Sequence, residues 1–197
     1  MLRLSLIIIA LVASSSAEVL FASIVPGYKV NWEAGVAPDG DNDNVWESTT
    51  ATSALDWTFN SGAQTPVEVS VRDRPGIAKA YAFPAARPTV GTWGDGGSFT
   101  ESQDVTIGLW VRPEQLTGRH VLWETGGDGA GFSITIEDGF IQATGQNSPT
   151  NRAIASRQIH RGQTHGLNHL VAAFDLDTGS GAQMDLYLNG VLAATGT

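Results

Sequence analysis

The decapeptide MDLYLNGVLA, residues 184–193, allows few alternatives. Met184, Leu186 and Leu188 alternate with Asp185 and Tyr187, which is the two-residue period of a half-buried strand. Asn189-Gly190 then supplies two residues that tolerate positive φ, as a type I′ turn requires, and Val191 starts a return strand. A second turn of the same kind, Asp138-Gly139, lies between FSITIE (132–137) and FIQATG (140–145). A chain punctuated in this way is committed to antiparallel hairpins.

The remaining apolar runs agree. VTIGLWV (105–111) sets Val105, Ile107, Leu109 and Val111 on one face and stops at Pro113, which cannot continue a ladder. HVLWET (120–125) ends in the glycine cluster GGDGAG, and LVAAF (170–174) is apolar on both faces, as an interior strand is. Trp110 and Trp123, inside these runs, are expected in the core. ALDWTF (54–59) and VEVSV (67–71) are shorter strand candidates. With no amphipathic helix between them, strands at this spacing predict an all-β, antiparallel two-sheet β-sandwich.

Composition narrows the function. Twenty acidic against eleven basic residues give a net charge of -9. Such a surface repels polyanions, which excludes nucleic acid and anionic membrane surfaces as partners. The opening MLRLSLIIIALVASSSAEV has an early Arg3, an apolar run and small residues at Ser15 and Ala17. It reads as a signal peptide over 1–17, with cleavage extending at most to 22. Its apolar run is far short of a membrane span, so the processed chain is expected to be secreted or at the cell surface without membrane insertion. No cysteine is present, and the fold must rest on its core alone. Residues 23–52 form a loop-rich opening segment, and 53–197 are assigned to one domain.

In order along the chain, VTIGLWVRPE, VLWETGGDGAGFSITIEDGFI and NHLVAAFDLDTGSGAQMDLYLNGVLAA resemble the laminin G-like, concanavalin A-like jelly-roll family. The likeness covers about residues 98–194 and is weaker upstream, where Pro84 stands at a position the family usually makes polar. It implies a jelly roll in which further strands follow the LYLNG turn, so that the sequence reads as truncated at its C-terminus. It also implies a choice of functions. The leading expectation is a non-catalytic module recognising glycans or extracellular proteins. The alternatives are a glycoside hydrolase of the same fold and a structural or adhesion component of a cell surface.

A hydrolase of this fold needs acids at i, i+2 and i+4 of one strand, facing one cleft. Glu137 and Asp138 are adjacent and Asp175 and Asp177 run into a turn, so no catalytic residue is assigned and the protein is expected not to be an enzyme. His160, His165 and His169 lack a credible metal geometry, and His169 matches a family position that is usually packed and hydrogen-bonded. In DGDNDN (39–44), Asp39, Asp41 and Asp43 are hard oxygen donors at alternate positions and are the candidate ligands for calcium, the one cofactor considered. Trp93, among turn residues in GTWGDGG, is the candidate sugar-stacking side chain.

Overall fold

The computed structural model describes residues 104–127, 130–148, 150–176 and 181–197, with the short segments 4–7, 45–46, 57–59, 67–74, 77, 79–82 and 91–92. The chain forms two compact units, Ile8–Ser98 and a second composed of Met1–Ile7 with Phe99–Thr197. Their division at Phe99 falls within the span 53–197 read from sequence as one domain.

The Ile8–Ser98 unit holds short strands. β2 (Val45–Trp46), β3 (Trp57–Phe59) and β6 (Gly91–Thr92) make an antiparallel trio. β4 (Val67–Ser70) pairs antiparallel with β5 (Lys79–Ala82), and Ile77 between them is buried. Trp93 and Asp39, Asp41 and Asp43 lie outside the described residues.

The second unit is a sandwich. Its first sheet has the order β1-β7-β12-β13-β14, formed by β1 (Leu4–Ile7), β7 (Val105–Val111), β12 (Asn168–Asp175), β13 (Gln183–Leu188) and β14 (Val191–Gly196). The pairs among β7, β12, β13 and β14 are antiparallel. β1, from the segment read as a leader, joins β7 in parallel register, Leu4 opposite Val105. The second sheet, β11-β10-β9-β8, is antiparallel and comprises β8 (Arg119–Gly127), β9 (Ala130–Glu137), β10 (Phe140–Ser148) and β11 (Asn151–Gln158). Among the described residues the sandwich has no α-helix, only a 3-10 turn at Arg161–Thr164.

Strand alternation builds the core. β12 turns Leu170, Ala172 and Phe174 inward, where they meet Leu109, Ile107 and Val105 of β7 and Leu188, Leu186 and Met184 of β13 in register. From the second sheet Phe132, Ile134 and Ile136 of β9 and Ile141 and Ala143 of β10 point back at them. Each large aliphatic or aromatic side chain so buried contributes about 1.5–3 kcal/mol. The Phe132 and Phe174 rings meet edge to face at 5.1 Å between the sheets, the geometry favoured by the aromatic quadrupole. Where the sheets come closest they use residues without bulk. Gly145 of β10 faces the Phe174 ring, and Gly196 of β14 lies against the Ile154 carbonyl of β11.

Both Asx-Gly turns form as expected, with positive φ at Asp138 (45°), Gly139 (85°), Asn189 (52°) and Gly190 (81°). Each also ties its hairpin to a neighbouring segment by the same reciprocal pair of bonds. Asp138 N–H donates to Gly118 O at 3.1 Å while Gly118 N–H donates to Asp138 Oδ1 at 2.8 Å. Asn189 N–H donates to His169 O at 2.7 Å while His169 N–H donates to Asn189 Oδ1 at 2.9 Å. The Asn189 amide goes further and donates through Nδ2 to Oδ1 of the buried Asn168 at 3.1 Å. Asn168 Nδ2 in turn donates to the carbonyls of Gln163 and Gly166, which closes the loop before β12. The last hairpin is therefore fastened to the interior strand through its turn.

Candidate functional site

Both sheets have an outer face that bears the residues excluded from the core, and the two faces differ in chemistry. On the first sheet, Trp110 and His169 are cross-strand partners whose rings stack at 4.7 Å and 24°. Trp110 is thus not a core residue as its place in an apolar run suggested. Val105, Ile107 and Leu109 take the inner face, and alternation turns Trp110 outward, where it is half-buried. Trp123, by contrast, is buried as expected. His169 also departs from its expected core role. Its backbone is pinned by Asn189, but its ring sits on the outer face with Nε2 buried and without a hydrogen-bond partner, and burial lowers its pKa below the usual 6.5. Nearby, Asp185 accepts from Gln183 Nε2 at 3.2 Å and Thr195 Oγ1 at 2.7 Å. The polar groups of this face are largely engaged with one another.

The outer face of the second sheet is different. Register places Arg119, Glu137, Phe140 and Gln158 in one row across the four strands, and Val121, Thr135, Gln142 and Ser156 in the next. Phe140 is 45% exposed and Val121 50%, while Thr135, enclosed by its neighbours, is buried. The side chains of Arg119, Glu137, Gln142 and Gln158 make no hydrogen bond or ion pair with each other or with any other of the described residues. The result is one exposed phenyl ring, Phe140, with a guanidinium, a carboxylate and two amides in its own and the adjoining row, none of them bonded to another described residue. Such a set can stack on the apolar face of a ring and bond to its hydroxyls.

Those residues considered for catalysis or metal binding that lie among the described ones do not converge. Glu137 lies on the outer face while Asp138 serves the turn; Asp177 lies outside the described residues. His160 is exposed beside the 3-10 turn, with its N–H donated to Gln163 Oε1, whereas His169 is in β12. Among the described residues no group of three or more acids and histidines is placed to hold a metal ion.

A family model described as the concanavalin A-like lectin/glucanases superfamily, of laminin G type, matches residues 88–197, more than half of the chain. The chain belongs to this superfamily. Comparison with curated proteins and with solved structures gives no match. The matched span includes every strand from β6 to β14 and so both outer faces. Sequence reasoning fixed on Trp93 and the acidic loop and passed over Phe140 and its row. The signal for Phe140 was available: it follows the Asp-Gly turn at an outward position, opposite in phase to the buried Ile141.

Proposed function

We propose that this chain is an exported, non-catalytic recognition module whose outer four-stranded face binds glycans. The observation that carries this reading is the row Arg119–Glu137–Phe140–Gln158, one exposed aromatic ring among polar side chains that are not bonded to other described residues, on a superfamily scaffold of lectins and glucanases. A pyranose offers an apolar face to a ring and hydroxyls to amides and charged groups, which is the complement of this surface. The sequence supports a binding rather than a hydrolytic role, because no strand carries acids at alternate positions on one face. Export follows from the leader-like opening residues; processing after Ala17 would also remove β1 from the edge of β7.

The test is a glycan array probed with the processed protein and with Phe140→Ala, each with and without a calcium chelator. Retention of specific glycans by the wild type and their loss in the variant is the expected outcome. Release of new reducing ends from β-glucans would instead establish a glucanase-type hydrolase. Silence across the array, with retention of an extracellular protein, would move the role to adhesion. A signal abolished by the chelator would establish a calcium requirement, and if Asp39, Asp41 and Asp43 hold the ion, their replacement by asparagine is expected to abolish the signal without the chelator.

A further inference from the structure

Asn189-Gly190 is the only Asn-Gly pair in the sequence, and both residues are exposed to water. In such a pair the Gly190 nitrogen can attack the Asn189 side-chain carbon, because glycine has no side chain to obstruct the approach. The new C–N bond closes a five-membered succinimide, and the Gly190 N–H proton leaves with the amide nitrogen as ammonia. Water then opens the ring to aspartate or isoaspartate.

In the folded chain Asn189 is held at three points, two of them on the side chain that must rotate. Asn189 Oδ1 accepts from His169 N–H, Nδ2 donates to Asn168 Oδ1, and the Asn189 N–H is bound to His169 O. The first two bonds direct the amide toward β12, and ring closure requires both to break. We propose that Asn189 is a deamidation site whose reactivity is gated by this clasp, and that its conversion unfastens the β13–β14 hairpin from β12. An aspartate at 189 can still accept from His169 but has no donor for Asn168, whose Oδ1 would then face a carboxylate. Isoaspartate would in addition lengthen the backbone within the turn. The sister turn makes the contrast clear. Asp138 already carries a carboxylate in the same reciprocal pair with Gly118, and no buried amide there requires a donor.

The test follows the mass gain of the peptide containing Asn189, and its isoaspartate content, during incubation of the full chain at mildly alkaline pH. Folded wild type is expected to convert more slowly than the same chain in concentrated urea. Asn168→Ala, which removes one of the two side-chain bonds, is expected to speed conversion in the folded protein by roughly two- to tenfold, the worth of one such bond. Asn189→Asp is expected to raise amide hydrogen exchange in β13 and β14 while leaving β9 and β10 protected. Equal rates for folded and unfolded wild type would overturn the proposal, as would a folded Asn168→Ala that converts at the wild-type rate. If Asn168→Ala does not fold, the comparison of folded and unfolded wild type decides alone.

Discussion

Replacing Gly145 by alanine sets two physical effects of opposite sign against each other. Glycine weakens a strand interior, and alanine in its place would ordinarily stabilise by roughly 0.5–1 kcal/mol. At Gly145, however, an added Cβ would lie 2.7 Å from Cγ and Cε2 of Phe174 and closer still to Cδ2. Carbon atoms in contact rest at about 3.5–4.0 Å, so the ring would have to move by about 1 Å or more. It has nowhere to go, because Phe174 is only 2% exposed and edged against Phe132 from the facing sheet. Overpacking of this kind costs about 1–3 kcal/mol, which outweighs the backbone gain. Gly145→Ala is therefore expected to destabilise by about 1–2 kcal/mol, lowering Tm by roughly 4–8 °C per kcal/mol for a unit of this size. Urea unfolding monitored by tryptophan fluorescence measures it. The double variant with Phe174→Leu should cost less than the sum of the singles, since the smaller side chain makes room. A stabilised Gly145→Ala, or strict additivity in the double variant, would refute the close approach of β10 to β12.

Other expectations concern the turns, the outward histidine and the outer face that carries Phe140. Asn168→Ala should cost about 2–3 kcal/mol in urea unfolding, because it leaves the Gln163 and Gly166 carbonyls and the Asn189 amide without their partner; a loss under about 0.5 kcal/mol would contradict the clasp. Asp138→Ala should cost about 1–2 kcal/mol, whereas Asp138→Asn, which still accepts from Gly118 and tolerates positive φ, should stay within about 0.5 kcal/mol. Because burial lowers the His169 pKa in the folded state, the unfolded chain takes up this proton first as pH falls. The contribution of His169 to stability is thus full above the ordinary histidine range, declines as pH drops through 6.5, and levels off once the pH is below the lowered folded value, where both states carry the proton. His169→Phe, which keeps a ring against Trp110, should flatten that decline when the two proteins are compared at a series of pH values. Phe140→Ala should abolish glycan retention with little change in stability, since the ring is 45% exposed.

Much of the sandwich was legible locally because its signals are local. Alternation located β7, β9 and β13, an unbroken apolar run located β12, and the two Asx-Gly pairs located their turns; β12 lies between β7 and β13, the interior place its two apolar faces suggested. β11 escaped notice. Its inward residues are Ala153 and Ala155, too small to give an apolar rhythm, and its outward positions include Arg152, Ser156 and Gln158. These alanines are buried only because the two sheets converge there, with Gly196 of β14 against Ile154. Trp110 shows the reverse failure, in which an apolar residue was assigned inward by composition although its own phase pointed out.

The sequence by itself determined most strands of the sandwich, its Asx-Gly turns and the class of fold, because a two-residue period and positive-φ pairs depend only on residues close along the chain. It also determined the net charge of -9, since charge is a sum over residues wherever they lie. Tertiary structure alone decided that Arg119, Glu137, Phe140 and Gln158 stand in one row, that Asn189 holds Asn168, and that Gly145 makes room for Phe174. Each of these depends on register between strands and on the distance between sheets, which side-chain packing sets across the fold and no single segment encodes.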